Sequence, residues 1–229
     1  MCGVIGIRLN SPTQKDFDLI TQIFIESKIR GMHATGISYI SENKLVTIKE
    51  PIASDEFVKK YFTDLEKFLN VDGNLYLIGH CRYSTSDLIY NQPIFNDNLS
   101  IVHNGVISQE LPENWKKLYG YDCTTKNDSE LILLSKNPIV EFNHMSMSVC
   151  SLSSSGELAF FRNTKRPCYL TKVKNGYIIT STENIAHRCG LVESCLIEAN
   201  SYYKVSKGLT ITKNLILQDC KDLQMVIYE

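Results

Sequence analysis

Several common signals are missing from this sequence of 229 residues. No apolar run approaches the ~18 residues of a membrane span. The start, MCGVIGIRL, has neither the basic leader nor the long apolar stretch of a secretory signal. The 24 basic and 25 acidic residues nearly cancel, so no basic surface of the kind that binds nucleic acid is visible. We therefore expect a cytoplasmic protein with no membrane or nucleic-acid partner.

The spacing of a metal site is missing as well. The eight cysteines include no C-x-x-C pair, and the five histidines are scattered. Zinc ligands usually come in such closely spaced pairs, so we expect no metal. No glycine-rich phosphate-binding loop occurs either, and no cofactor is predicted. In a reducing cytosol the cysteines stay as free thiols.

The sequence does contain a mixture of strand and helix patterns. Apolar residues make up 43 % of the chain, enough to bury a substantial core. Runs such as CGVIGIRL, GISYIS and LSIVH predict strands. The apolar spacing of 54–70 predicts an amphipathic helix, with Ser54 as its cap. No repeat or linker divides residues 1–229, so we predict a single domain of α+β or layered α/β class.

Cys2 raises the question of why a cysteine directly follows the initiator methionine. If Met1 is removed, Cys2 carries both a thiol and a free α-amine. An α-amine titrates near ~7.7 to 8.0 and can accept the proton of the thiol, so nucleophile and base share one residue. The alternative is a buried core cysteine that happens to be second. Taken alone, Cys2 favours that plainer interpretation.

Two arginines stand at the ends of predicted elements. Arg30, in RGMHATGI, follows a predicted helix; it marks a helix stop, or lies near the nucleophile and favours a thiolate there. Arg82, in IGHCRYSTSD, ends an apolar strand, with Thr85 just beyond it. A guanidinium at a strand end can bind a carboxylate in bidentate fashion, and a nearby hydroxyl can add a hydrogen bond. The plainer alternative for Arg82 is a surface ion pair.

Two other stretches offer complementary groups. In IVHNGVI, the Asn104 amide and the Gly105 backbone N–H can point at one oxygen as an oxyanion hole, although Asn-Gly is also a strong turn signal. We assign no catalytic step to His103. In KNDSELI, Asp128 is a helix N-cap, an acceptor for a substrate ammonium, or both. Together with Cys2 these groups fit a free amino acid with a side-chain amide, which means glutamine or asparagine.

The chain resembles class II glutamine amidotransferase domains, which are N-terminal-nucleophile hydrolases. The matching stretches occur in the same order as in the family. They are MCGVIGI, RG with TGI at 30–37, GHCRYST, HNGVI and NDSELI. NQP at 91–93 is a weaker match. Two positions depart from the family pattern. Ser86 stands where a histidine is common, and RGMHATGI lacks the usual acidic residue before the small pair.

The resemblance implies a four-layer αββα sandwich with two antiparallel sheets. It also implies hydrolysis of the glutamine side-chain amide to glutamate and ammonia, with no cofactor and no metal. It implies that Cys2 is the nucleophile and that Asn104 and Gly105 are the oxyanion donors. It also implies that Arg82 and Thr85 bind the carboxylate of glutamine, that Asp128 binds its amino group, and that Arg30 supports the site.

Members of this family usually deliver the ammonia to a synthetase or transferase domain on the same chain. We expect instead a stand-alone subunit that serves a separate synthetase or transferase, because 229 residues leave no room for an acceptor domain. Two alternatives stay open. One is an N-terminal-cysteine amidase that acts on another amide, and the other is a catalytically silent binding or regulatory subunit of the same fold.

Overall fold

The computed structural model describes residues 2–84, 88–215 and 226–228. In chain order the strands are β1 (Gly3–Leu9), β2 (Ala34–Ser41), β3 (Lys44–Glu50), β4 (Leu75–Arg82), β5 (Ile94–Phe95), β6 (Leu99–His103), β7 (Ser148–Ser153), β8 (Leu158–Arg162), β9 (Tyr169–Val173), β10 (Gly176–Thr180), β11 (Ser194–Leu196), β12 (Ser201–Val205), β13 (Ile211–Leu215) and β14 (Val226–Tyr228). The α-helices are α1 (Gln14–Ser27), α2 (Ser54–Tyr61), α3 (Trp115–Tyr119), α4 (Ser129–Leu134), α5 (Pro138–Glu141) and α6 (Glu183–Arg188). None of the described helices has the length and apolar character needed to cross a membrane.

The strands form two antiparallel sheets. Sheet A has the order β11-β9-β10-β1-β4-β2-β3, and sheet B has the order β14-β13-β12-β8-β7-β6-β5. Strand β1 lies in the centre of sheet A, between β10 and β4. All seven of its residues are buried, because both faces of the strand are covered. This position explains why its sequence is a nearly continuous apolar run and not an alternating one.

Three apolar cores separate four layers. The first lies between sheet A and the helices α1, α2 and α6, and includes Ile5, Phe24 and Phe57. The second lies between the two sheets, where Val4 of β1 meets residues such as Val102 and Phe160 of sheet B. The third lies between sheet B and α3, α4 and α5, and is formed by Ile101, Trp115, Leu131, Ile139, Phe142 and Val149, among others. The predicted αββα sandwich is therefore confirmed.

The register of the strands brings the ends of several strands to one edge of the sandwich. Gly3 pairs with Cys81, and Ala34 pairs with Arg82. The start of β1, the end of β4 and the start of β2 therefore lie side by side. Strand β6 of the opposite sheet contacts both β1 and β4, and it ends at His103 near the same edge.

The prediction for 54–70 was wrong in two respects. Ser54 is the first helical residue of α2 and not its cap; Ala53 holds the N-cap position, and no side chain caps this end. The helix also ends at Tyr61. The Asp64 carboxylate accepts a hydrogen bond from the Glu66 N–H (3.1 Å) and starts a separate 3-10 turn. Such local side-chain bonds compete with the helix, which is why the apolar spacing alone overestimated its length.

Candidate active site

Cys2 immediately precedes β1. Its two polar groups contact different residues at the edge where β1, β4 and β6 have their ends. Its N–H donates a hydrogen bond to Oδ1 of Asn104 (3.1 Å), which follows β6 in the other sheet. Its thiol donates to the backbone carbonyl of Tyr83, with 3.9 Å between sulfur and oxygen. The nitrogen and the sulfur of Cys2 thus face the same edge, and neither is buried in the core.

The protonation of the Cys2 thiol depends on burial and on two arginines. Burial raises the pKa of the thiol, and the guanidinium groups of Arg82 and Arg30 oppose that increase. Since the net shift is upward, the thiol stays protonated near neutral pH and needs a base before it can attack. Burial also lowers the pKa of Arg30, while the neighbouring Cys2 raises it. Arg30 therefore lies close enough to Cys2 for the two charges to influence one another.

Asn104 and Gly105 form a short connection between β6 and the loop that follows it. The backbone of Asn104 pairs with Ser148 in both directions (2.9 and 3.0 Å), which continues the β6–β7 ladder. A Cβ atom at Gly105 would come within 1.9 Å of the Ser146 carbonyl oxygen, so only glycine fits there. Within the described residues, the buried Nδ2 of Asn104 and the N–H of Gly105 have no hydrogen-bond partner. Two donors therefore remain available beside Cys2.

Asp128 holds the N-cap position of α4, but its carboxylate does not cap the helix. Instead, Oδ2 accepts hydrogen bonds from the backbone N–H groups of Ile107 (2.6 Å) and Ser108 (3.2 Å). These bonds tie α4 to the loop that follows Gly105. In the described part of the chain, Oδ1 forms no hydrogen bond. One carboxylate oxygen is thus committed to the fold, and the other is available to a ligand.

Arg82 ends β4, and its side chain is buried. Its Nη1 donates a hydrogen bond to the Tyr90 carbonyl (3.1 Å), and Nδ2 of Asn127 donates to the same oxygen (2.8 Å). This shared acceptor connects the end of β4 to the start of α4. Thr85, the other predicted carboxylate ligand, lies outside the residues that the structure describes, as does Met1.

Four of the predicted residues line one cavity of about 300 Å³: Cys2, Arg82, Gly105 and Asp128. The sequence did not point to Glu110 and Lys126, which add charge to the same cavity. Two larger cavities, of about 400 and 450 Å³, contain none of the predicted residues. Convergent polar groups, and not size, mark the smaller cavity as the candidate site.

A buried polar network supports the Asn104–Gly105 connection. Oε1 of Gln92 accepts the His103 N–H (2.6 Å), and its Nε2 donates to the His103 carbonyl (3.2 Å) and to Oγ of Ser129 (3.1 Å). The His103 ring contacts Oγ of Ser129 through Nδ1 (2.9 Å) and the Ser146 carbonyl through Nε2 (3.2 Å). Burial lowers the pKa of His103, so its ring is neutral and acts in packing. The NQP and NDSELI stretches were the signals for this network, but its long-range pairing was not predicted.

No protein-family model matches the chain. Among curated proteins, it is 27% identical over 191 residues to a glutamine–fructose-6-phosphate aminotransferase (isomerizing) of Sulfurisphaera tokodaii, with 78% of this chain and 31% of that protein covered. A protein of the same name from Clostridium acetobutylicum is 28% identical over 141 residues, covering 58% of this chain and 21% of that protein. The chain thus spans about a third or less of the length of these relatives.

Among solved structures, the glutamine phosphoribosylpyrophosphate amidotransferase of B. subtilis matches with a TM-score of 0.70 and 19% identity, over 93% of this chain and 48% of that one. A glutamine aminotransferase class-II domain protein of Silicibacter pomeroyi matches with a TM-score of 0.59 and 10% identity, over 93% and 98% of the two chains. The chain shares the fold of these structures. Sequence and fold together support the resemblance to class II glutamine amidotransferase domains.

Proposed function

We propose that the chain hydrolyses the side-chain amide of glutamine to glutamate and ammonia, with Cys2 as the nucleophile. The observation that carries this proposal is the meeting of three groups: Cys2 and Gly105 line the cavity, and Asn104 contacts Cys2. The N–H of Cys2 contacts the Asn104 side chain, while Nδ2 of Asn104 and the N–H of Gly105 are left without partners in the described residues. A nucleophile beside two available donors is the arrangement that acyl transfer requires.

The first step needs Met1 to be removed, so that the nitrogen of Cys2 is a free amine. This amine takes the thiol proton, and the sulfur attacks the amide carbon of glutamine. The negative charge that develops on the amide oxygen is stabilised by Nδ2 of Asn104 and the N–H of Gly105. One such donor typically contributes ~2.7 to 4 kcal/mol in the transition state. The bond between Cys2 N and Oδ1 of Asn104 (3.1 Å) orients the amine for this transfer.

The second half of the reaction reverses the role of the amine. The ammonium of Cys2 donates its proton to the departing nitrogen, the C–N bond breaks, and ammonia leaves a glutamyl thioester on the sulfur. A water molecule, deprotonated by the same amine, then attacks the thioester carbon. The C–S bond breaks, and the ammonium returns its proton to the sulfur. The products are glutamate and the free thiol. General acid and base are thus one group that is used twice.

Recognition of glutamine is assigned to two charged groups that line the cavity, Arg82 and Asp128, together with Thr85. The Arg82 guanidinium binds the α-carboxylate, and we propose Thr85 as a second ligand of that carboxylate. Oδ1 of Asp128 accepts a hydrogen bond from the α-ammonium, since Oδ2 is already bonded to Ile107 and Ser108. The positive charge of Arg82 and the negative charge of Asp128 together select a free amino acid over an N-acylated one. An acylated amino group carries no positive charge to pair with the Asp128 carboxylate.

The purified chain tests this proposal directly. Intact mass should show the loss of one methionine residue, and incubation with glutamine should release glutamate. A Cys2→Ala variant should lose at least about a thousandfold of that activity, because the nucleophile is gone. A Cys195→Ala variant is the matched control, since Cys195 is an exposed thiol on β11. Glutamate release that persists in Cys2→Ala would refute the hydrolase proposal.

The same experiment separates the two alternatives. An amidase for another substrate would show methionine removal and labelling of the Cys2 thiol by small electrophiles, but no turnover of glutamine. A silent regulatory subunit would keep Met1, and its Cys2 would be blocked by an ordinary peptide bond. The Arg82 and Asp128 pair favours glutamine over both, because neither alternative needs both charges in one cavity.

We further propose that a separate synthetase or transferase receives the ammonia. The support is that the matched relatives are named as aminotransferases, and that the region they share with this chain is 31% and 21% of their own length. Fractions of a lysate, added to the purified chain, should contain one that raises the rate of glutamate release. A full rate in the purified chain that no fraction changes would count against a partner protein.

A further inference from the structure

His33 lies in the connection between α1 and β2. It contacts Arg82, Tyr83 and Ser84, at and directly after the end of β4. Its backbone N–H donates to the Arg82 carbonyl (3.0 Å). Its ring lies against the Tyr83 ring, with 5.0 Å between centroids. Its Nδ1 accepts a hydrogen bond from the backbone N–H of Ser84 (2.9 Å). One side chain and its own backbone thus hold the whole segment 82–84.

Segment 82–84 is part of the candidate site. Arg82 and Tyr83 both line the cavity of about 300 Å³. The carbonyl of Tyr83 is also the acceptor for the Cys2 thiol. A shift of this segment would therefore move the proposed carboxylate ligand and the nearest contact of the nucleophile together.

Close packing beside His33 strengthens this connection. A Cβ atom at Gly31 would lie 2.2 Å from the carbonyl carbon of Arg82 and 2.3 Å from the Tyr83 nitrogen. The backbone at 31 therefore lies directly on the peptide between these two residues. Residues 31–33 and segment 82–84 form one packed unit, and Nδ1 of His33 supplies its side-chain hydrogen bond.

We propose that His33 is a positioning residue, which holds segment 82–84 in the geometry that binds glutamine through the acceptor Nδ1. The proposal rests on the proposed glutaminase function. A backbone N–H can only donate, so Nδ1 is the acceptor in the bond from Ser84.

Two variants separate the functions of the ring. His33→Phe keeps an aromatic ring beside Tyr83 but has no acceptor. His33→Asn places an amide oxygen near the position of Nδ1 and does not titrate. We expect His33→Phe to raise the KM for glutamine about threefold to tenfold at pH 8, as the loss of one hydrogen bond implies, with kcat within about twofold. His33→Asn should stay within about twofold of the wild type.

The KM for glutamine is the decisive readout. An unchanged KM in His33→Phe would overturn the proposal, and so would a KM in His33→Asn that rises as far as in His33→Phe. Where His33→Phe does not fold, His33→Leu takes its place as the variant without an acceptor.

Hydrogen exchange gives a second readout that does not need activity. The Ser84 amide should be protected in the wild type at pH 8 and in His33→Asn, and should exchange faster in His33→Phe. If the wild type releases no glutamate, the proposed function fails, while the exchange of the Ser84 amide still tests the contact made by His33. If glutamate is released but the Ser84 amide exchanges equally in all three proteins, the His33 proposal alone is wrong.

Discussion

The two sheets contribute to the site in different ways. Sheet A supplies Cys2 and Arg82 from the ends of β1 and β4, and we call these the sheet A side. The backbone ladder between the two strands ends at the pair Gly3 and Cys81, directly beside both residues, and Arg82 itself pairs with Ala34 of β2. Asn104, Gly105 and Asp128 form the sheet B side, which lies in loops after β6 and before α4. Hydrogen bonds of buried side chains hold these loops in place.

This difference predicts how each half of the site responds to amino-acid substitution. On the sheet A side, the backbone geometry does not depend on the identity of the functional side chain, so a substitution changes the chemistry and little else. On the sheet B side, the removal of one supporting side chain leaves buried polar partners unsatisfied and shifts the donors. The following predictions test this contrast, from the largest expected effect to the smallest.

The largest of these effects is expected from Asn104→Ala, which removes one proposed oxyanion donor and the contact with the Cys2 nitrogen. We expect kcat for glutamate release to fall about a hundredfold to a thousandfold, with a smaller change in KM, since this donor acts mainly in the transition state. Asn98→Ala, at an exposed asparagine in the turn before β6, is the control and should retain wild-type rates. An equal loss in both variants would show that Asn104 has no special role.

Asp128→Asn tests whether one carboxylate oxygen holds the fold while the other binds the ligand. The amide oxygen can still accept the bonds from Ile107 and Ser108, while the negative charge is lost. The KM for glutamine should therefore rise about tenfold to a hundredfold, in line with ~1.5 to 3 kcal/mol for a bond to a charged group. Thermal stability should hardly change. The exposed Asp122 pairs with Lys116, and Asp122→Asn is the control.

Sequence patterns predicted the sheet A side better than the sheet B side. The apolar run at the start predicted β1 and so the place of Cys2, and GHCRYST put Arg82 at a strand end. Asn104, Gly105 and Asp128 were also singled out, but the side chains that hold them were not. Such side chains pair across long stretches of the chain, and no local pattern encodes that pairing. The shortest elements, such as β5 and α5, were missed because tertiary contacts define them.

A pH effect on stability is expected from His80, which connects the two sides. It lies in β4, is fully buried, and contacts the His103 carbonyl through Nε2 (3.2 Å). Burial lowers the pKa of His80 to about 3. The unfolded chain takes up a proton near pH ~6.5, and the folded chain does not, so stability is full above pH ~6.5 and is lost as the pH falls towards 3.

The expected size of the His80 effect is about 1.4 kcal/mol per pH unit at its steepest, or about 2 kcal/mol between pH 6.5 and pH 5. Denaturant unfolding at several pH values measures it. His80→Gln keeps a donor for the His103 carbonyl but does not titrate, so its unfolding free energy should depend less on pH over this range. His144→Gln, at an exposed histidine, should follow the wild type. Parallel curves for all three proteins would refute this assignment.

The smallest effect is expected from Ser129→Ala, in the network of the sheet B side. The change leaves Nδ1 of His103 and one N–H of Gln92 without a partner, at a cost of ~1 to 2 kcal/mol in unfolding free energy. Ser135→Ala, which removes an exposed bond to Glu141, should cost less. If the sheet B side depends on its network, Ser129→Ala should also lower kcat severalfold, because the proposed oxyanion donors follow His103 directly. The rate at which an electrophile labels the Cys2 thiol should stay unchanged, since the next residue, Gly3, is held by backbone pairing in sheet A. A parallel loss of labelling would mean that the two sides are coupled and that the contrast between them is wrong.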